Sequence, residues 1–445
     1  MERVQNFTEG KIVTPLLKFA APVLLALFLQ AMYGAVDLLI VGKFSHTADV
    51  SAVSTGSMMM QSITAVFTSL SMGITILLGQ KIGEKKENEA GKVIGSGVFL
   101  FAIIAIIFTA IFVIGANSIA SLLQAPKDAF LQTVSYLRIC SAGILFIIAF
   151  NTLGSIFRGL GDSKMPLITV AIACVANIFL DLLFVAKFKF GAEGAALATV
   201  MAQAISVIFS FVIISKRKLN FTFSIKDITW NTEHIKKILW FGVPVALQDL
   251  LVNISFLVIM AIINQLGLEQ SAGVGVAEKV CMFLMLVPSA YMQSLSAFVA
   301  QNAGAGKYKR ARKALFYAIA TSLIAAFIMA YLAFFHGNLL AGIFSNDKKV
   351  IEMAADYLKA YGIDCLLTAE LFCFNGYYSG MGKTTFVMFQ GIIGAFCIRI
   401  PVSYFVSKIS GATLFHIGLA SPASTILQIT MCGVFLYICI KKEKS

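Results

Sequence analysis

The chain has 445 residues, 59% of them hydrophobic and only 13% charged, with a mean hydropathy of +0.87. A soluble protein of that length needs a polar exterior that this composition does not supply, so the numbers point to a polytopic membrane protein. The net charge of +13 does not indicate a nucleic-acid partner, because the basic residues cluster in short loops between apolar runs, as the positive-inside bias produces.

Twelve apolar stretches of spanning length are predicted. They begin near Val13, Val50, Lys92, Ala129, Met165, Gly191, Ile235, Ser271, Ala311, Ile351, Thr384 and Phe415. Each runs roughly 20–28 residues, enough for a tilted transmembrane helix. The first is too long for a signal-peptide core and follows a polar leader, MERVQNFTEGK, so no cleavable signal is expected.

The first helix carries Pro22 near its start, a candidate hinge, and then Gln30, Tyr33 and Asp37 in its outward half. The loop after the second brings Lys81, Lys85 and Lys86. The fourth carries Tyr136 and ends in FRGLG (157–161). The fifth contains VANIFLDLLFV (175–185), nine of whose eleven residues are apolar. Its other two, Asn177 and Asp181, are four apart and share one helical face. The sixth opens on GAEGAALAT, ending at Thr199. The longest polar stretch, residues 215–234, reads as a linker between an N-lobe (1–214) and a C-lobe (235–445).

The second half repeats the pattern with a second candidate hinge, Pro244. Its membrane acids are Asp249, Glu278, Asp364 and Glu370. GMGKTT (380–385) lacks the first glycine of a nucleotide-binding loop and lies in a short turn, so it is read as coincidence. The four histidines are scattered at segment ends and make no metal cluster. The eight cysteines all lie in apolar segments and read as packing residues rather than disulfides. Lysine and arginine concentrate on the side of the two termini, which predicts cytoplasmic termini.

The halves align with a nearly constant offset. FAAPV (19–23) matches FGVPV (241–245) at 222; GQKIG (79–83) matches AQNAG (300–304), SYLR (135–138) matches DYLK (356–359), and FRGLG matches YSGMG (378–382), all at 221. Six helices return the chain to its starting side, so the repeat is parallel. Two similar bundles that rock about a cavity suit a transporter. The glycines of the repeated loops, Gly159, Gly161, Gly380 and Gly382, are read as tight-turn residues.

At 1.5 Å per residue, Asp37 and Asp181 lie roughly 10 and 9 Å inside the outer ends of their helices, Thr199 roughly 12 Å, and Asn177 one turn deeper than Asp181. With Tyr136 they form one polar layer drawn from four helices. Carboxylate, amide and hydroxyl oxygens suit a hard cation such as Na⁺. Two adjacent acids can instead share a proton. The offset carries Asp37 and Asp181 to Ile259 and Val402, so this layer is expected in the first half alone. Gln30, Tyr33, Asp249, Glu278, Asp364 and Glu370 are candidates for a cavity that attracts a cationic ligand, with aromatic and methionine side chains as adaptable contacts.

Together the start FAAPVLLALFLQAMYGAVDLLIVGKF, FRGLGDSKMP after helix 4, GAEGAALAT at helix 6 and RIP (399–401) in helix 11 resemble the multidrug and toxic compound extrusion (MATE) transporters, closest to the DinF-like prokaryotic branch. The resemblance covers nearly the whole chain. It implies an all-α membrane protein of the MATE/MOP type, two pseudo-symmetric six-helix bundles, that exports organic cations by antiport with Na⁺ or H⁺ through alternating access and is not an enzyme. It also implies an N-lobe ion site at Asp37, Asn177, Asp181 and Thr199, with Tyr136 beside it. Where one branch carries an ion-binding acid on helix 7, this chain has Val252 and Asn253.

The expected partners are a cationic amphiphilic small molecule and the lipid bilayer, with no nucleic acid and no cofactor beyond the coupling ion, and the chain is expected to act as a monomer in the cell membrane. The rival reading is a lipid-linked saccharide flippase, which needs a basic cavity; Arg138, Lys279, Lys359 and Arg399 are its candidates. A third, an intramembrane enzyme, would use the two aspartates as a catalytic dyad.

Overall fold

The computed structural model describes residues 7–216 and 225–443, and the regular elements among them are all helical. The first half contains α1 (Val13–Phe44), α2 (Thr47–Gly83), α3 (Glu87–Leu122), α4 (Lys127–Ala142 joined to Ile144–Leu160 by a 51° bend), α5 (Lys164–Lys187) and α6 (Gly191–Lys216). The second contains α7 (Thr232–Asn264), α8 (Leu268–Gly304), α9 (Tyr308–Phe335), α10 (Lys348–Gly380), α11 (Thr384–Ser407) and α12 (Leu414–Lys442).

Among the described residues, ten helices can cross a membrane by length and composition, or eleven with the bent α4 taken as one span. The twelfth, α10, is long enough at 33 residues, but lysines, aspartates and glutamates along it lower its hydropathy. The predicted starts fall within a few residues of the observed ones. The predicted linker differs in part. Residues 217–224 lie outside the described residues, Ile225–Asp227 form a short 3₁₀ turn, and the segment from Thr232 already belongs to α7.

The exterior is apolar. Ile114 on α3 is 82% exposed and Phe327 on α9 is 66% exposed, and helices that are apolar all round are stable only where lipid or protein covers them. All eight cysteines are free thiols, and six of them are buried.

The chain forms two compact units, one built on Ala21–Ala246 and the other on Glu9–Ala20 with Leu247–Ser445. Each boundary therefore falls inside the first helix of a half, next to Pro22 and close to Pro244. Both prolines sit inside continuous helix. The physical reasons are local. Arg310 donates to the carbonyls of Gly10, Glu9 and Lys11 at 2.7, 2.9 and 3.1 Å, which ties the start of α1 to the second unit. The first half of α7 packs on α2 at backbone distance, where a Cβ on Gly73 would meet the Ile238 carbonyl and one on Gly242 the Leu70 carbonyl.

The repeated glycines divide into two roles, which corrects the tight-turn reading. Gly161 (φ +85°) and Gly382 (φ +73°) do make left-handed turns after α4 and α10. Gly159 and Gly380 are helical. A Cβ on Gly380 would lie 2.6 Å from the Ser296 carbonyl, and one on Gly376 2.5 Å from that of Met292. Gly376 and Gly380 form a small-xxx-small face that lets α10 approach α8 closely.

Candidate functional site

In the first unit, four helices each present a pair of side chains four residues apart: Tyr33 and Asp37 on α1, Tyr136 and Cys140 on α4, Asn177 and Asp181 on α5, Thr199 and Gln203 on α6. That spacing puts both members of each pair on one helical face. Asp37, Asn177 and Asp181 are 7%, 1% and 0% exposed. Thr199 Oγ1 donates to Asp37 Oδ2 at 3.3 Å. The Asp37 carboxylate also faces Asp181 and Asn177. The Tyr136 phenol faces Cys140, with both aspartates acting on it through space, and its ring lies against Gly56 of α2, where a Cβ would collide.

The structure thus brings together all five residues of the predicted layer. It adds Gln203, Cys140 and Cys174, which surround Tyr33 and were missed. Their signal was present for Gln203 and Cys140, since each lies one helical turn from a residue already singled out. Tyr33, a cavity candidate by sequence, sits beside Asp37 and Gln203 within this acidic nest.

What is unusual is the number of buried polar atoms without partners. Asp37 Oδ1, both Asp181 oxygens, both amide atoms of Asn177 and Gln203 Oε1 are buried with no hydrogen-bond partner. Buried polar atoms are nearly always paired, and two facing buried carboxylates favour a cation or a proton between them. The donor set is all oxygen, from carboxylate, amide and hydroxyl, which fits a hard monovalent ion.

Several contacts hold the four helices in place. Ser206 Oγ donates to the Thr169 carbonyl at 2.7 Å and joins α6 to α5. A π turn, Leu182–Lys187, begins directly after Asp181, a device often found at functional sites. Asp49, in the first turn of α2, accepts from the Ala192 N–H at 3.1 Å and from the His46 N–H at 3.3 Å. It caps the start of α6, two turns before Thr199. Asp49→Ala is expected to lower stability by about 1–2 kcal/mol, read as a lower melting temperature in detergent, with Asp49→Asn recovering most of it.

The remaining cavity candidates are placed as follows. Gln30, Asp249, Glu278 and Glu370 are half-buried. Asp364 is buried and accepts from Thr425 Oγ1 at 2.7 Å. Among the basic candidates, Arg138 and Lys279 are exposed, Lys359 pairs with Asp356 at 3.7 Å, and Arg399 is buried in the second unit.

The MatE family profile matches residues 22–183 and again 244–405, so each half carries one copy, and the copies begin at Pro22 and Pro244. The chain is 26% identical over 436 residues to the probable multidrug resistance protein YpnP of Bacillus subtilis (strain 168), covering 98% of this chain and 96% of that protein. It is 24% identical over 422 residues to the multidrug export protein MepA of Staphylococcus aureus (strain MSSA476), covering 93% and 91%. The fold superimposes on a crystal structure of MATE in complex with MaL6 with a TM-score of 0.93 at 18% identity, covering 100% of both chains. These comparisons reach the family without selecting the DinF-like branch. With one copy of the profile in each half and alignment along nearly the whole length, this chain belongs to the MatE family.

Proposed function

We propose that this membrane transporter expels organic cations, drugs among them, from the cell by antiport with Na⁺ or H⁺. Members of the family are transporters, not enzymes, and the relatives named above are multidrug proteins. The observation that carries the coupling half of the reading is the pair of facing acids, Asp37 and Asp181, whose carboxylate oxygens include three without partners.

In this reading a cation entering the nest neutralises the carboxylates and lets α1 draw in. Substrate affinity falls on one side of the membrane and is restored when the ion leaves on the other. The ion must bind the two states differently for the cycle to turn. Pro22 and Pro244, at the boundaries between the units, are the hinges that let α1 and α7 follow both units. The termini are cytoplasmic, the membrane is that of the cell, and the working unit is one chain. The flippase alternative needs a basic cavity, and its lysines and arginines are scattered between surface and core.

Ethidium efflux from vesicles, with Na⁺ and pH gradients imposed separately, tests the reading. Efflux should follow one gradient or both and stop when it is collapsed. Efflux indifferent to both gradients would reject antiport.

A further inference from the structure

The second unit holds a cavity of about 680 Å³ at the end where α7 and α9 finish and α10 and α12 begin. That end is opposite the C-terminus of α12. The volume is that of a small-molecule site, and none of the lining residues belongs to the acidic nest of the first unit.

The charges of the cavity come from α10. Glu352, Asp356 and Lys359 all line it and are spaced four and then three residues apart, so they share one helical face. From the helix tip inward the stripe reads negative, negative, positive. At 1.5 Å per residue, Lys359 lies roughly 10 Å further along the helix than Glu352. Asp356 is partly engaged. Its Oδ2 accepts from the Phe415 N–H at 2.9 Å and fixes the first turn of α12, and its Oδ1 lies 3.7 Å from Lys359 Nζ. An ion pair of that length at the surface is weak. Glu352 is exposed and forms no ion pair among the described residues.

The apolar wall is aromatic. Phe334 and Phe335 end α9, and their ring centroids are 5.0 Å apart. Phe335 also belongs to the outward face of the helix. Phe327, Tyr331 and Phe335 recur every four residues and are all exposed, and the last two rings lie 5.2 Å apart. A lipid-facing track therefore runs along α9 and ends in the cavity wall.

These features match one chemistry in order and sign. From the water inward, a zwitterionic phospholipid presents an ammonium, then a phosphate, then its acyl chains. The cavity presents Glu352 outermost, Lys359 deeper and the track on α9 beyond. A simple organic cation would be repelled by Lys359, and an anionic headgroup would meet two carboxylates.

We propose that this cavity seats the headgroup of a zwitterionic phospholipid from the leaflet opposite the chain's termini, with Glu352 toward the ammonium and Lys359 toward the phosphate. The site shares no residue with the coupling nest, so it does not depend on the antiport reading.

The test is thermal melting of the full chain in detergent, with phosphatidylethanolamine or phosphatidylglycerol of identical acyl chains added. Native mass spectrometry of the same samples counts the lipid retained. Phosphatidylethanolamine should raise the melting temperature more than phosphatidylglycerol and be retained in preference to it. Glu352→Gln and Lys359→Gln should each lose most of that rise and that retention. Both side chains are exposed, so each variant should melt like the parent without added lipid. Lipid retention decides the matter for a variant that does not. An equal rise with phosphatidylglycerol overturns the proposal. So does a loss in only one of the two variants, which would mean that the cavity reads a single charge, and so do variants that keep the whole effect.

Discussion

Asp37→Asn is expected to reduce gradient-driven drug export to background while leaving a folded protein. Two charges at hydrogen-bonding range repel by about 4 kcal/mol at an effective dielectric constant of about 20, so the pair carries a standing demand for a cation. Asparagine keeps the shape and can still accept from Thr199, but it cancels that demand. Stability should hold or rise, because one of two facing buried carboxylates has been removed. The coupling should vanish, because the ion no longer discriminates between states. The measurement is ethidium export from proteoliposomes under imposed Na⁺ and pH gradients, with the melting temperature as control. Asp181→Asn should behave alike. Thr199→Ala should only weaken ion affinity, since it removes a neutral donor to Asp37 at 3.3 Å. A carrier that still exports at the parent's rate after Asp37→Asn would show that the nest is not the engine.

Gly380→Leu is expected to have the largest effect on folding. The Cβ alone would sit 2.6 Å from the Ser296 carbonyl and 2.7 Å from Val299 Cβ. Backbone cannot swing aside as a flexible side chain does, so α10 must lift from α8. Overpacking costs typically about 1–3 kcal/mol, and a whole isobutyl group against a carbonyl belongs at or above the top of that range. The variant should accumulate poorly or melt far below the parent in detergent. Gly433→Leu is the control. Gly433 lies on α12 with nothing within 4 Å of its would-be Cβ, so leucine there should be tolerated. If both substitutions melted alike, the close approach at Gly380 would carry no weight.

The two predictions draw on different kinds of information. Asp37 and Asp181 stand out in the chain because a carboxylate inside an apolar run is costly and therefore rarely idle. Asn177 follows from its four-residue spacing to Asp181. Gly380 also stands out, but for the wrong reason. Its place in YSGMG suggested a turn, and only the packed helices reveal that Gly382 makes the turn while Gly380 admits a neighbouring backbone. Gln203 and Cys140 each lie one helical turn from a residue that stands out, but single polar or small residues in a membrane helix are common, so that spacing gained meaning once four helix faces met.

What the linear chain determined was the class of protein, the twelve helical segments, the duplication and the acidic layer. The physical reason is that lipid offers no hydrogen bonds. A spanning segment must satisfy its own backbone, so length and apolar content nearly decide it, and a buried charge declares itself. Tertiary structure decided the rest: the bend in α4, the two π turns in α5 and α11, and the assignment of the starts of α1 and α7 to opposite units. The bend, the π turns and the unit boundaries depend on which faces pack, and packing is a property of surfaces that only the folded chain brings together.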